Sequence, residues 1–277
     1  MHLGCEVKNS LVIYRLFTFF EKRFDNGYFF KGECHDFYEV VCVISGSVGI
    51  TAGKKIYSLS EGEMIFHPPG EFHAIWEEKN SNPTVIIFSF SANPFPTVNQ
   101  RVFKLSESNI SEISALHTDI KDSFNTRNGA ITDIKEGYEA SASLAVKKLE
   151  IFLISIFLKN NECVALAQKS TSKLFSRILS VMESNISKPM TTLNLARLCE
   201  ISVPTLENTV NKYLGYGAIA HFNVMKMQRA HTMLLSGSNV KETAFALGFV
   251  NQNYFSARFK KYYGYSPSMI KKTTINY

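Results

Sequence analysis

Cysteine is scarce and unpatterned in this sequence. Five residues (Cys5, Cys34, Cys42, Cys163, Cys199) are spread over 277 positions with no CxxC pair, which excludes a disulfide framework and a zinc knuckle and fits a reducing compartment. Long apolar runs are also missing. The longest, Ile151 to Leu158, is broken by Ser155, and Met1-His2 does not open onto a basic region, an apolar core and a cleavage site. The expectation is a cytoplasmic chain that neither crosses nor is exported through a membrane. Charged residues are only 19%, but hydrophobic residues are 45% and aromatics 13%, a composition that excludes disorder as the main state. Acid is lacking at one end only. Residues 170–277 carry 13 Lys and Arg against 4 Asp and Glu, whereas residues 1–169 carry 17 against 20. The net charge of +6 therefore hides a basic C-terminal third on a mildly acidic remainder, the balance expected of a nucleic-acid module carried by something that is not one.

At about 150 residues per domain the length predicts two domains. Residues 28–90 read as short strands, with β-branched and aromatic runs at Glu39 to Ile44, Val48 to Thr51, Lys55 to Leu59, Met64 to Phe66 and Val85 to Phe90. Turn signals at Ser45-Gly46, Ala52-Gly53, Glu61-Gly62, Pro68-Pro69-Gly70 and Asn82-Pro83 separate them, and together they predict an antiparallel barrel or sandwich. After Pro94 and Pro96 the period becomes helical. Ile110, Ile113, Leu116 and Ile120 form one stripe, and a helix predicted over Gly137 to Lys159 is apolar nearly all round at its end. Such a helix needs cover on more than one side, from its own domain or from a second copy of the chain. Asn160 to Ser172 reads as a linker.

The basic region contains a repeat. The stretch from Leu206 to Gly215 lines up with that from Phe255 to Gly264, about 49 residues on, and each follows a short helix containing an alanine, Ala196 or Ala244. A small helix, a tight turn and a second, capped helix make a helix-turn-helix pattern. Ser202, with Pro204 in the first turn, is the expected cap of one recognition helix, and Asn251 of the other. Helical phase puts Leu206, Val210 and Tyr213 inward and Pro204, Glu207, Asn208 and Asn211 outward; in the second copy Phe255, Phe259 and Tyr262 are inward, and Asn253, Ser256, Ala257 and Lys260 outward, with Gln252 in the first turn. Asn and Gln can pair adenine bidentately, Glu can accept from cytosine, and Lys can meet phosphate. A third helix, Ile219 to Leu235, would hold the two units about 34 Å apart, one turn of duplex.

The run Ala244-x3-Gly248-Phe249-x4-Tyr254-Phe255-Ser256-x2-Phe259-Lys260-Lys261-x2-Gly264-x-Ser266-Pro267, with Arg229-Ala230 and Leu234-Leu235 upstream, closely resembles the signature of AraC/XylS transcription regulators. The resemblance covers about the last hundred residues. It implies a seven-helix domain with two helix-turn-helix units, reading bases through Pro204, Glu207 and Asn208 in the first and Gln252, Asn253 and Ala257 in the second. Asn211, Lys212, Ser256, Arg258 and Lys260 complete the expected DNA face, with Arg258 on the flank facing phosphate. Departures from the pattern are Ala257 in place of a common Arg, Ile270-Lys271 in place of a closing Tyr-Arg, and Glu200 in place of the turn glycine.

The N-terminal half resembles the cupin sensor domain of many such regulators, through His35-Asp-Phe-Tyr-Glu39-x6-Gly46 and Gly62-x5-Pro68-x-Gly70-x2-His73. In metal-dependent cupins the ligand positions would correspond to Glu33, His35, Glu39 and His73. Either these groups hydrogen-bond a ligand and one another in the barrel mouth, or an oxygen donor, two imidazoles and a second carboxylate hold a first-row metal; the expectation adopted is an effector site of His35, Tyr38, Glu39 and His73 with no metal and no cofactor. The expected fold class is α+β: a cupin-like barrel over 1–98, a helical dimerisation segment over 99–168 and an all-α double helix-turn-helix domain over 173–277. The expected protein is not an enzyme but a homodimeric regulator of promoter DNA, controlled by a small polar effector such as a sugar, with RNA polymerase as a further partner.

Overall fold

In the computed structural model residues 9–53, 55–96, 98, 100–159 and 173–270 are described, so the expected linker and Lys271 lie outside the described residues. The N-terminal part runs β1 (Ile13–Arg23), β2 (Phe29–Glu33), β3 (Tyr38–Ser45), β4 (Ser47–Ala52), β5 (Lys55–Ser60), β6 (Glu63–His67), β7 (His73–Glu77), β8 (Thr84–Ala92), β9 (Val102–Lys104), α1 (Glu107–Ser123), β10 (Phe124–Arg127), β11 (Ala130–Ile134) and α2 (Glu139–Lys159). Two antiparallel sheets result, ordered β10-β11-β1-β8-β3-β6-β9 and β2-β7-β4-β5.

Side-chain alternation sorts each strand onto two layers. Along β3, Val40 and Cys42 join a core with Phe66, Phe88, Phe90, Leu149 and Phe152, between the large sheet and helices α1 and α2. Val41 and Val43 face the other way, into the barrel with Ile50, Leu59, Ile65 and Ile87. Helix α1 begins at Ser106, whose hydroxyl accepts the Asn109 N–H while Asn109 reaches back to the Ser106 N–H. Buried Glu150 of α2 accepts the Ile13 N–H at 2.8 Å, which ties α2 to β1.

The segment 99–168 is not wholly helical as expected. It supplies β9 to the edge of β6, and the hairpin β10–β11, whose Asn128-Gly129 turn has φ of 53° and 82° at its two central residues. An Asn-Gly pair tolerates that left-handed backbone and matches the twist of a two-residue hairpin. The strands begin before the run expected over 28–90, at Ile13, because β1 is apolar on both faces and shows no simple alternation.

The C-terminal part is α3 (Lys173–Ser184), α4 (Thr192–Leu198), α5 (Val203–Leu214), α6 (Ala218–Leu235), α7 (Val240–Ala246), α8 (Gln252–Tyr263) and a 3-10 turn at Pro267–Met269. Among the described residues this is six α-helices and a turn, where the resemblance implied seven helices. Each recognition helix starts as its cap residue predicts: the Ser202 side chain accepts the Thr205 N–H, and Asn251 accepts those of Asn253 and Tyr254. Ala196 and Ala244 are buried at the helix crossings.

Candidate functional site

The two reading heads are α4–α5 and α7–α8. On α5, Pro204, Asn208, Asn211 and Lys212 are exposed; on α8, Gln252, Asn253, Ala257 and Lys260 are exposed, with Ser256 and Arg258 half-buried. Phase is enforced by the fully buried Leu206 and Val210, and by Phe255 and Phe259. Glu207 departs from the expected outward face. It is half-buried, and its Oε2 accepts the Ala218 N–H at 3.0 Å. The N-terminus of α6 has unpaired N–H groups and positive dipole, and Gly217 at its cap has no side chain to satisfy them. Glu207 takes that role instead of facing a base. Val250, 91% exposed beside Asn251, was not among the expected contacts; an apolar side chain there is suited to a thymine methyl.

The two heads are joined through Lys226 of α6. Its buried ammonium donates to Lys188 O at 3.0 Å and Leu247 O at 2.9 Å, and lies over the Phe222 and Phe249 rings. One cation thus bonds the loop leading into α4 and the end of α7.

Inside the barrel, four side chains meet. His73 Nε2 lies 3.1 Å from Glu39 Oε1 and 3.9 Å from Glu33 Oε1, and His35 Nε2 lies 3.6 Å from Glu39 Oε2. Burial pushes the Glu39 carboxyl upward, but the His35 and His73 imidazoles outweigh it and hold Glu39 well below the usual carboxylate range. Burial disfavours a proton on His73, yet Glu39 and Glu33 prevail and raise it. The Glu33 carboxyl is pushed up by burial and by Glu39. Glu33, Glu39 and His73 line a cavity of about 280 Å³ whose walls include Phe20, Phe24, Val41, Ile50 and Ile87, with Lys22 and Tyr28 also on its lining. Pockets of about 300–1,000 Å³ hold drug-sized ligands, so this one suits a small molecule.

Tyr38 does not belong to that site. It precedes Glu39 by one position on β3, so it points to the opposite face, where it stacks on Phe66 and Phe95 beneath α2. The same alternation brings in His67, two residues after the inward Ile65, and it could have been found that way. Its Nδ1 lies 3.1 Å from Glu71 Oε2, and burial lowers its pKa to about 4.

Strand β7 has a second role. His73, Ala74 and Ile75 line the cavity, while Phe72 and Trp76, again with Ala74, pack with α3, α5 and α6 in one core. Phe72 meets His221 edge-on with ring centroids 5.2 Å apart, and Thr51 Oγ1 donates to Tyr213 O at 3.0 Å. Phe29 lies so close to Gly215, the left-handed cap of α5, that a Cβ there would sit 2.5 Å from its ring. The barrel therefore touches the first reading head directly.

A small-molecule barrel fused to paired helix-turn-helix units defines a DNA-binding regulator with its own ligand-binding domain. Residues 16–124 match the AraC-like ligand binding domain, and residues 195–273 match a helix-turn-helix domain. The chain belongs to the AraC family of transcription regulators. It is 20% identical over 252 residues to the HTH-type transcriptional activator RhaS of Escherichia fergusonii and to that of Enterobacter sp. strain 638, with 86% of each chain covered. Among solved structures it is similar to ToxT from Vibrio cholerae O395, at 14% identity, 94% of this chain, 96% of that chain and a TM-score of 0.38. It is also similar to the C-terminal domain of the response regulator yesN from Fusobacterium nucleatum, at 26% identity, 34% of this chain, 94% of that chain and a TM-score of 0.32. The family is one of regulators rather than enzymes, and no described helix is long and apolar enough to cross a membrane.

Proposed function

We propose that promoter occupancy by this regulator is set by a small polar effector held in the barrel cavity against His35, Glu39 and His73, with sugars the leading class. The observation that carries this reading is β7: one strand lines the cavity with His73 and Ile75 and packs the first reading head with Phe72, Ala74 and Trp76. A ligand that displaces this strand changes how the head is held. A differential affinity of about 1–3 kcal/mol between two arrangements is enough to alter occupancy about tenfold.

Two copies of the chain act together in this reading. Leu144, Ile151 and Leu158 of α2 are 57%, 63% and 67% exposed and recur every seven residues, an apolar stripe suited to pairing with the same helix of a second copy. Asn208 and Asn253 read bases, while Lys212 and Lys260 meet phosphate. The barrel over 1–98, the pairing segment over 99–168 and the reading domain over 173–277 are the working divisions, and the dimer recruits RNA polymerase as an activator, the role named for RhaS.

Mapping the bound sites across a genome, followed by duplex titrations with the sugars handled by neighbouring genes, tests this reading. A sequence-preferring complex whose affinity shifts with one sugar supports it. Equal affinity for all duplexes and indifference to every sugar would instead mark an architectural protein. For the pairing, Leu144→Lys with Ile151→Lys should turn a sedimenting dimer into a monomer; a wild-type chain that is already monomeric at micromolar concentration removes the dimer from this reading.

A further inference from the structure

We propose that the effector is a hexuronic acid, a sugar ring bearing one carboxylate: its hydroxyls meet Glu33, Glu39 and His73 at one end of the barrel cavity, and its carboxylate meets Lys22 at the other. The inference rests on the reading of that cavity as the effector site, and adds to it the ligand class and the residue that selects it.

Strand register gives the cavity two unlike ends. Thr18 of β1 pairs with Ser89 of β8, Ser89 with Glu39 of β3, and Glu39 with His67 of β6, so these residues share one rung. Lys22 pairs with Val85, and Val85 with Val43. It therefore stands four residues further along β1 than Thr18, about 14 Å at about 3.4 Å per residue. The small sheet runs the same way. Glu33 pairs with His73 and Phe30 with Ile75, and the Tyr28 carbonyl beyond them accepts the Glu77 N–H. Between the polar end and the Lys22 end the lining is apolar, with Phe20, Val41, Ile75 and Ile87.

Lys22 is held at its end and left with capacity to bind. Its ammonium donates to Tyr28 Oη at 3.1 Å and lies 4.5 Å from the centre of the Tyr28 ring. An ammonium has three donors, so the others can meet a ligand. Nearby Glu77 accepts the Gly27 and Ser81 N–H groups, and among the described residues no carboxylate is paired with Lys22. A single cation in a cavity that also holds Glu33 and Glu39 matches a singly charged carboxylate, and the second charge of a phosphate would stand uncompensated. At the opposite end the Glu39 carboxylate can only accept, so it selects ligand hydroxyls. A pyranose carries C–H groups on its faces and hydroxyls on its rim. The apolar walls meet the faces while the rim and the carboxylate reach the two ends, and a cavity of about 280 Å³ holds one such ring.

The full chain is titrated calorimetrically with a panel of aldohexoses, their uronic acids and their phosphates. One uronic acid should bind about tenfold or more tighter than its neutral parent, the gain of a charge-assisted hydrogen bond. Lys22→Met, which keeps an apolar stem beside Tyr28 at an exposed position, should abolish that preference, and Lys22→Arg should preserve it. Equal affinity for acid and parent, a preference that survives Lys22→Met or is lost in Lys22→Arg, or tighter binding of a hexose phosphate overturns the inference and leaves the sugar reading standing. Binding of no member of the panel overturns both. A uronic acid bound as expected, with unchanged affinity for a duplex carrying a mapped site, keeps the ligand class and overturns the control of promoter occupancy.

Discussion

The two helix-turn-helix units have the same plan and different supports. The first is buttressed by the barrel: Leu206, Val210 and Leu214 share a core with Phe72, Ala74 and Ile56. The second rests on its own helices and the end of α6, with Phe255 and Phe259 packed on Met227, Ala230 and Leu247. The turn residue differs in step. Gly248 in the second unit has φ of 72°, and a Cβ there would lie 1.9 Å from Ser187 O; the equivalent Glu200 in the first unit adopts φ of 53° and pairs with Arg177 at the surface. Glycine is demanded in the second turn because the α3–α4 loop presses on it. The first turn bears no such contact and accepts a side chain at the expense of backbone strain. The difference teaches that the first head is an extension of the sensor, whereas the second is oriented through Lys226 and the α6 helix.

The largest expected effect that sharpens this contrast is Phe255→Ala, which should cost about 3–5 kcal/mol by emptying a fully buried site. Thermal melting followed by far-ultraviolet dichroism and by tryptophan fluorescence should separate, since Trp76 reports the barrel and first head; coincident loss of both would show that the two units fold as one. Gly248→Ala comes next, at about 2 kcal/mol or more from backbone strain and the clash with Ser187 O. A melting temperature equal to that of wild type would show that the loop yields freely.

For base reading, Asn253→Ala should cost about 1–3 kcal/mol at its preferred site and relax preference at one base pair; an unchanged footprint removes Asn253 from the reading face. Lys260→Ala should weaken all duplexes alike and reduce the slope of log affinity against log salt by about 1. The smallest effect is Glu200→Gly. Relief of about 1 kcal/mol of left-handed strain competes with loss of an exposed ion pair worth about 0–1 kcal/mol, so stability should change by less than about 1 kcal/mol. A large loss in denaturant titration would reveal a structural role for the Arg177 pair and erase the proposed asymmetry.

Much of this was legible because it is local. Helical period located the buried stripes of α5 and α8, and cap chemistry placed their first residues at Ser202 and Asn251. The two histidines and two glutamates of the barrel were recognisable through the resemblance to the cupin motifs, although His67 and the wall residues Lys22 and Tyr28 were not, since they come from strands distant in the chain. The hairpin β10–β11 was signalled by Asn128-Gly129 and still missed, because its strands carry Asn125, Arg127 and Asp133 on exposed positions and have little apolar pattern of their own.

By itself the sequence determined the repeat, the caps, the basic reading domain and the family, since each depends on residues within a few turns of one another. Only the tertiary structure decided that Glu207 caps α6, that Tyr38 faces the helices while Glu39 faces the cavity, and that Phe72 couples the barrel to the first head. Those choices turn on which surface arrives opposite a side chain. The arrival is set by the summed burial of three packed layers and not by any residue's own neighbours in the chain.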